Sequence, residues 1–320
     1  MFIALAILVA GLGILIYGAD TLVKGASSLA SRLGVSALAV GLTVVAFGTS
    51  TPELTVNMYA ALTGATDLAV GNVVGSNVAN ILLILGITAI ITPLAVKSST
   101  VWKEMPFALL GGILLLVLGA DTLISGAGPD ILTRGEGIAL LGVFAIFMYY
   151  VVGLAKQNPT ENEEDVHVYS TLRSVVYIVL GLAGLILGGK LLVDQAVFLA
   201  GLFGLSETVI GLTVVAVGTS LPELATSIIA ARRGQHDIAV GNIIGSNIFN
   251  IFWILGLTAL ITPIPTPTSF VADISFELVV STILFIIMFV GRRHTIDRWQ
   301  GWAFLGLYIA YITYLLTLAK

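Results

Sequence analysis

The sequence contains no cysteine and very few charged residues. Without cysteine, a disulfide, a thiolate metal site and a cysteine nucleophile are all excluded. Charged residues make up 10% of the chain, against roughly 25% in a typical soluble protein. The histidines, His167, His236 and His294, fall in predicted loops or at the ends of apolar segments, which argues against an imidazole metal site. A soluble thiol enzyme or zinc enzyme is therefore excluded.

The chain is instead rich in long apolar segments. Apolar residues make up 58% of it, and segments of about 20 apolar residues, the length that crosses a bilayer, recur along it. We therefore predict an all-α integral membrane protein with ten transmembrane helices. The first segment, "MFIALAILVAG", lacks the basic region of a cleaved signal peptide and is interpreted as the first span, with a removed signal peptide as the alternative. The predicted spans are residues 2–23, 35–62, 67–92, 104–120, 136–155, 173–193, 206–230, 237–262, 272–290 and 300–318.

An internal duplication divides the chain. "VGLTVVAFGTS" from residue 40 matches "IGLTVVAVGTS" from residue 210, and the 28 residues from Asp67 match those from Asp237 at 18 positions. Five spans in each half is an odd number, so the halves are expected to be inverted repeats. We predict a first five-helix repeat at 1–155 with its motif at 40–94, a short acidic cytoplasmic linker at 156–172, and a second repeat at 173–320 with its motif at 210–264.

The basic residues predict the orientation of the chain. If the N-terminus lies outside, all of the 14 lysines and arginines except Arg134, Lys190 and Lys320 fall in or beside cytoplasmic loops. This distribution follows the positive-inside rule. We predict a multi-pass protein of the plasma or inner membrane with both termini outside.

Two glutamates lie within apolar segments, Glu53 in "GTSTPE" and Glu223 in "GTSLPE". An ionised carboxylate inside a membrane costs several kcal/mol, and no lysine or arginine lies deep enough in a span to pair with either glutamate. The partner must then be a proton or a metal cation. A protonated glutamate that only makes an interhelical hydrogen bond is the alternative.

The proline before each glutamate predicts a broken helix. Pro52 and Pro222 have no amide hydrogen and clash with the carbonyl four residues earlier, so the helix should break around "GTS". Such a break is tolerated in a membrane where it lines protein or a water-filled cavity. The carbonyls near Ala46 and Ala216 are expected to be freed and to face a cation.

The third and eighth spans add neutral oxygens through "GNVVGSNVAN" and "GNIIGSNIFN". Asn72, Ser76 and Asn80 are four residues apart and share one helix face, and the second motif repeats this with Asn242, Ser246 and Asn250. The glycines in these motifs also fit close helix packing, an interpretation compatible with the first. A set of hard oxygen ligands favours sodium, calcium or manganese over zinc or copper, and magnesium is less suited because it keeps its waters.

The paired motifs resemble the two alpha-repeats of the cation/calcium exchanger superfamily, especially its prokaryotic sodium/calcium exchanger branch. The resemblance covers essentially the whole chain. It implies an antiporter, with no enzyme activity and no cofactor, in which inward Na⁺ drives Ca²⁺ outward by alternating access. Spans 2, 3, 7 and 8 would form the core, and spans 1 and 6 a sliding gate, which the glycines Gly11, Gly13, Gly181, Gly184, Gly188 and Gly189 would suit.

The resemblance also implies the ligand set. Glu53 and Glu223 would be the calcium carboxylates. The remaining Ca²⁺ and Na⁺ ligands would be Thr49, Ser50, Thr219, Ser220, Ser76, Ser246, Asn80 and Asn250, the carbonyls of Ala46 and Ala216, and, at second rank, Asn72 and Asn242. The expected partners are these cations and the lipid bilayer, with no nucleic acid, and a monomer would suffice.

One departure from the family keeps alternatives open. Some sodium/calcium exchangers carry an aspartate at the position of Asn250, and potassium-dependent relatives carry one in the second repeat, whereas Asn80 and Asn250 are both neutral. A Ca²⁺/H⁺ exchanger and a K⁺-dependent Na⁺/Ca²⁺ exchanger therefore stay open. Outside this class, a passive cation channel and an intramembrane hydrolase are the alternatives, although the zinc motif H-E-x-x-H is absent.

Overall fold

The computed structural model describes residues 2–64, 66–126, 130–155, 167–202, 216–266 and 270–318. Almost all of them are helical, which confirms the all-α prediction. The helices are α1 (Phe2–Leu33), α2 (Ala37–Thr49), α3 (Thr51–Thr63), α4 (Leu68–Ile91), α5 (Thr100–Gly119), α6 (Arg134–Ala155), α7 (Thr171–Leu202), α8 (Ala216–Thr219), α9 (Leu221–Arg232), α10 (His236–Ile261), α11 (Phe270–Ile287) and α12 (Arg298–Leu318).

The helices fit a membrane protein. Within the described residues, 7 helices are long and apolar enough to cross a bilayer, or 8 if the bent pair α2–α3 counts as one span. The count of ten spans stays a prediction, because residues 203–215, where the seventh span was placed to begin, lie outside the described residues. So do residues 156–166, which make up most of the predicted linker.

Helices α1 and α7 are longer than the spans predicted for them. At its polar end α1 carries a salt bridge between Lys24 and Asp20 of 2.7 Å, and α7 carries one between Lys190 and Asp194, also of 2.7 Å. Both pairs are spaced by one helical turn, so the charges support continued helix rather than ending it. The span ends stay predictions, because charge marks where a span leaves the apolar layer and not where its helix stops.

Glycines hold α1 and α7 in close contact. A Cβ atom on Gly18 would lie 2.7 Å from the backbone nitrogen of Leu185, and one on Gly188 would lie 2.5 Å from that of Leu15. Gly18 and Gly188 therefore face the partner helix, and so do Gly11, Gly181 and Gly184, where the expected sliding face is instead a packed contact. Gly189 faces Pro222 of α9, at 3.8 Å. The absence of side chains lets two backbones approach and pack as one unit. Gly13, by contrast, has nothing within 4 Å of its Cβ position.

Helices α4 and α10 form the centre of the molecule. In their apolar windows 72% and 83% of residues are buried, against 28% in α1 and α7. Each contains a seven-residue π-helical segment, Ala79–Leu85 in α4 and Phe249–Leu255 in α10. Such segments frequently occur at functional sites because they change the direction of nearby side chains.

Two short antiparallel ribbons tie the halves of the chain together. Strand β1 (Leu94–Ala95) pairs with β4 (Thr295–Ile296), and β2 (Ile131–Leu132) pairs with β3 (Ile264–Pro265). The helices next to the strands also pack across the two halves. Helix α12 of the second half packs on the end of α4, and α6 of the first half packs on the end of α10. The two halves are thus interleaved around the central pair.

Candidate ion-binding site

The predicted helix breaks are present in both halves. Helices α2 and α3 meet at Ser50 with a bend of 48°, and Ser50 has φ −82° and ψ 11°, outside the helical region. Ser220 has nearly the same backbone, φ −86° and ψ 4°, between α8 and α9. Each break places a glutamate in the first turn of the following helix, where the helix dipole favours negative charge.

The carbonyl of Ala46 is not freed by the break. It accepts the backbone N–H of Ser50 at 3.0 Å and the Thr49 hydroxyl at 3.3 Å. The expectation of a free carbonyl was wrong because helical bonding continues to Ser50. The carbonyl that loses its helical partner to Pro52 is that of Gly48, four residues earlier. Ala216, the counterpart of Ala46, is the first residue of α8.

Glu223 is held by hydroxyls from both halves of the chain. Its side chain is 1% exposed, and its Oε1 accepts from Ser50 at 3.0 Å and from Ser246 at 3.4 Å. Ser50 and Ser246 lie 3.0 Å apart. The break in the first half therefore supplies ligands to the glutamate of the second.

Glu53 has the corresponding environment. It is also 1% exposed, and its carboxylate is hydrogen-bonded by Ser76 of α4 and Thr219 of α8. Glu53 and Glu223 are close enough for their charges to repel. The structure thus gathers both glutamates, both breaks and the central helices into one buried cluster.

A layer of four asparagines closes this cluster on one side. Asn80 donates to Asn247 Oδ1 at 2.9 Å, and Asn250 donates to Asn77 Oδ1 at 3.0 Å. Asn77 and Asn247 also donate to each other's backbone carbonyls, at 3.4 and 3.5 Å. Asn77 and Asn247 lie 170 residues apart in the chain, as do Asn80 and Asn250. These reciprocal bonds describe a local two-fold arrangement of α4 and α10.

Asn77 and Asn247 were missed by the sequence reasoning. Spacing of four residues selected Asn72, Ser76 and Asn80, and Asn77 lies one residue off that face. The signal was nevertheless in the sequence, because both asparagines belong to the duplicated "GSN" and are repeated at the same separation. An asparagine kept at the same place in two apolar helices indicates a polar partner, since an unpaired amide in a membrane is costly.

Asn72 and Asn242 brace helices rather than joining this layer. Asn72 donates to Asn57 Oδ1 at 2.7 Å and to the Glu53 carbonyl at 3.3 Å. Asn242 likewise donates to Ser227 at 3.1 Å and to the Glu223 carbonyl at 3.4 Å. Both therefore fix the glutamate-bearing turn against a central helix, a positioning role.

Several buried oxygens of the cluster lack a hydrogen-bond partner in the described part of the chain. They are Glu53 Oε2, Glu223 Oε2, Asn80 Oδ1, Asn250 Oδ1 and Ser220 Oγ. A buried polar atom without a partner costs roughly 1–3 kcal/mol. A hard cation would satisfy all five, since carboxylate, amide and hydroxyl oxygens are the ligands that sodium and calcium take in proteins. The donor set therefore fits the cations that the sequence predicted.

The surroundings of the two glutamates are not symmetric. Helix α1 packs along α9, whereas the matching packing of α7 along α3 is much weaker in the described residues. Tyr59 of α3 is accordingly 65% exposed, while its counterpart Ile229 is partly covered. The cluster is thus shielded on the α9 side and less covered on the α3 side.

The chain matches known membrane transport proteins along most of its length. Residues 3–153 and 173–317 match the family described as "Sodium/calcium exchanger protein". Inner membrane protein YrbG of Escherichia coli is 40% identical over 325 residues, which cover 98% of this chain and 97% of YrbG. Sodium/calcium exchanger MaX1 of Methanosarcina acetivorans is 34% identical over 322 residues, 89% of this chain and 91% of MaX1.

Solved structures of the sodium-calcium exchanger NCX_Mj have the same fold. One of them, soaked with 2.5 mM Na⁺ and 10 mM Sr²⁺, superposes with a TM-score of 0.83 at 34% identity and covers 98% of both chains. Another, soaked with 2.5 mM Na⁺ and 0.1 mM Ca²⁺, gives a TM-score of 0.82. The helix arrangement described above is therefore that of a membrane exchanger.

Proposed function

The chain belongs to the sodium/calcium exchanger family, and from this premise we propose that it couples inward Na⁺ movement to outward Ca²⁺ movement. As a member of that family it is a multi-pass membrane antiporter and not an enzyme. The finer assignment, with Ca²⁺ held between Glu53 and Glu223, is argued from the buried cluster.

The observation that carries this assignment is the crossed pairing of the glutamates. Each carboxylate has a hydroxyl neighbour from the opposite half, Ser50 for Glu223 and Thr219 for Glu53, and one from its own half, and each keeps a second oxygen without a partner among the described residues. No ion pair in the described residues involves either glutamate. Two buried charges that repel each other need a counter-charge, and one divalent ion bound to both would supply it.

Exchange follows from the same electrostatics. When Ca²⁺ leaves, the two carboxylates must be neutralised again before the site can be enclosed. Monovalent cations can do this, and neutral oxygens beside the carboxylates would complete their coordination. The proposed ligands are the glutamates with Thr49, Ser50, Thr219, Ser220, Ser76, Ser246, Asn80 and Asn250, with Ala216 through its carbonyl. Asn72 and Asn242 would position the site.

Alternating access would use the packing of α1 and α7. We propose that repeats 1–155 and 173–320, joined by the linker 156–172, are inverted in the membrane with both termini outside. The glycine-packed pair α1–α7 would then move as one unit across the core. When this pair moves, α9 would become exposed and α3 would become covered. The site would then open to one side of the membrane at a time.

A Ca²⁺/H⁺ exchanger is the second candidate, because Asn80 and Asn250 add no charge and a pair of glutamates can exchange two protons for one Ca²⁺. Calcium uptake into proteoliposomes separates the two. An outward Na⁺ gradient without a pH gradient should drive uptake, and an outward proton gradient without Na⁺ should not. Uptake driven only by protons would replace the sodium proposal with the proton one. Ohmic single-channel currents would contradict any antiporter.

A further inference from the structure

An ion-pair network joins α1 to the end of α9. Asp20, in the second half of α1, accepts a hydrogen bond from Arg233 Nε at 2.9 Å, and a second guanidinium nitrogen of Arg233 bonds the same oxygen. Lys24, one turn further along α1, pairs with the other Asp20 oxygen at 2.7 Å. One carboxylate therefore holds two cations, one on its own helix and one on the core.

The backbone at the end of α9 fixes the position of Arg233. Its N–H group donates to the carbonyls of Ile229 and Ala230, both at 3.1 Å. Gly234 follows with φ +74°, the left-handed conformation that commonly ends a helix. The guanidinium therefore starts from a well-ordered helix end and reaches α1, to a residue 213 positions away in the chain.

The pair on α1 recurs on α7 with its charges exchanged. Lys190 and Asp194 stand 170 residues after Asp20 and Lys24, and they bond each other at 2.7 Å. The last turns of α3, which α7 would cover in the opposite arrangement, contain no charged residue. In the described part of the chain, no ion pair therefore joins α7 to α3.

The counterpart of Arg233 is uncharged as well. Thr63, which stands 170 residues before Arg233, is the last residue of α3. Its hydroxyl donates to the carbonyl of Tyr59 in its own helix at 2.8 Å. If α7 came to cover α3 as α1 covers α9, Lys190 would meet a threonine where Asp20 meets an arginine. The opposite arrangement cannot rebuild the network.

The network is partly exposed and separate from the ion cluster. The Asp20 side chain is 25% exposed and that of Arg233 is 39% exposed, so water weakens their attraction. In the proposed orientation, Lys24 and Arg233 lie on the cytoplasmic side. There the network holds α1 over α9 and closes the cytoplasmic path to the site.

We propose that Asp20, Lys24 and Arg233 form an ionic latch that favours the arrangement with α9 covered over the arrangement with α3 covered. This inference rests on the proposed function, because it needs α1–α7 to move across the core. The latch acts in one direction only, since the other half has no equivalent. A partly exposed ion pair shifts an equilibrium by a few-fold, so the latch biases the resting state and still opens in each cycle.

The distance between two spin labels tests the latch, and the absence of native cysteine allows single labels to be placed. Leu33→Cys at the end of α1 and Arg232→Cys at the end of α9 are both at exposed positions. In the purified full chain we expect a major distance for the covered arrangement and a minor one for the open arrangement. Asp20→Asn and Arg233→Gln should each raise the ratio of minor to major by roughly two- to fivefold.

Three comparisons separate a latch from general damage. Asp194→Asn is the matched control, since it removes a pair of the same spacing that lies wholly within α7, and it should keep the wild-type ratio. The double swap Asp20→Arg/Arg233→Asp leaves one carboxylate among two cations and should restore most of the wild-type ratio. Concentrated choline chloride, which screens exposed charges, should raise the ratio in the wild type and not in Asp20→Asn.

The outcomes distinguish this inference from the proposed function. Two distances whose ratio is unchanged in both Asp20→Asn and Arg233→Gln overturn the latch and leave the exchanger intact. A single distance in the wild type, in Na⁺ and in Ca²⁺ alike, overturns the proposed movement of α1–α7 and the latch with it. Absence of Na⁺-driven Ca²⁺ uptake overturns the sodium proposal instead, and the label distances then still test the latch.

Discussion

Single side chains set the charge of the central site. Glu53 and Glu223 are buried next to hydroxyls and have no ion pair in the described residues, and Asn80 and Asn250 of the central helices are neutral. In so small a buried space, one unit of charge decides which cations can replace one another. The substitutions that test these residues therefore add or remove one charge with little change in side-chain shape.

Glu53→Gln and Glu223→Gln should each abolish Ca²⁺ transport. Either change removes one of the two charges that balance a divalent ion, and loss of one buried charged partner costs about 2–5 kcal/mol, roughly thirtyfold or more in affinity. ⁴⁵Ca²⁺ uptake into Na⁺-loaded proteoliposomes measures the effect, with Glu104→Gln as the control, since Glu104 is equally buried but is bound by Tyr150. Wild-type rates in either variant would show that the glutamates do not hold Ca²⁺.

Asn250→Asp should change ion affinity in the opposite direction. It adds a negative charge where an amide oxygen lacks a partner, so we expect a lower half-saturating Ca²⁺ concentration or an altered dependence on Na⁺. Uptake rates at varied Ca²⁺ and Na⁺ concentrations measure both, and Asn72→Asp, at a bracing position, serves as the comparison. Kinetics identical to wild type would remove Asn250 from the ligand set.

At the scale of helices, close packing and helix breaks have separate roles. The breaks at Ser50 and Ser220 place the glutamates, and the central pair α4–α10 carries the asparagine layer. The pair α1–α7 has no part in the cluster of hydrogen bonds. Its glycines determine how closely two long helices approach, and the stability of that contact can be tested separately from ion binding.

Gly188→Ala should lower the thermal stability of the purified protein. The new Cβ would lie 2.5 Å from the Leu15 backbone nitrogen, and overpacking of this kind typically costs 1–3 kcal/mol. Gly13→Ala is the matched control on α1, because nothing lies within 4 Å of its Cβ position. Unfolding temperatures measured side by side in one detergent compare them. Equal temperatures would mean that α1 and α7 can separate freely.

At the scale of the whole molecule, the asymmetry between α3 and α9 implies motion. The two halves share their motifs but have different neighbours here, as the alternating access that we propose would require. For α3 to become covered and α9 exposed, the pair α1–α7 would have to shift against the core. The absence of native cysteine allows introduced disulfides to test which helices move together.

Two cysteine pairs should have opposite effects on transport. Ser28 and Ser174 join α1 to α7, with hydroxyls 2.8 Å apart, and a Ser28→Cys/Ser174→Cys disulfide should leave transport unchanged. In Val193→Cys/Gly218→Cys, the Cβ atoms would be 3.4 Å apart, near the usual disulfide range, and this bond between α7 and α8 should stop transport until it is reduced. Uptake before and after reductant measures both.

A block by the first pair would show that α1 and α7 must separate during the cycle. Continued transport by the oxidised second pair, with the bond verified by mass spectrometry, would show that α7 does not move against the core. Recovery after reduction is the control for damage from the substitutions themselves.

Much of this protein is determined by local features of its sequence. Apolar length predicts membrane helices because backbone groups in lipid must bond within their own segment. Pro52 and Pro222 predict the breaks because a proline removes a hydrogen bond wherever it stands. The duplication identifies the glutamates and the oxygen-rich helices, since a polar residue repeated in two apolar segments is costly without a purpose. None of these inferences needs a contact across the chain.

Only the tertiary structure decided which groups meet. The bond from Ser50 to Glu223 joins residues 173 apart, and no spacing in the sequence selects it over a bond to the nearer Glu53. The same holds for the layer of Asn77 and Asn247 and for the glycines that face a partner helix. Packing brings distant residues together, and a pattern within one helix defines a face but not what that face touches.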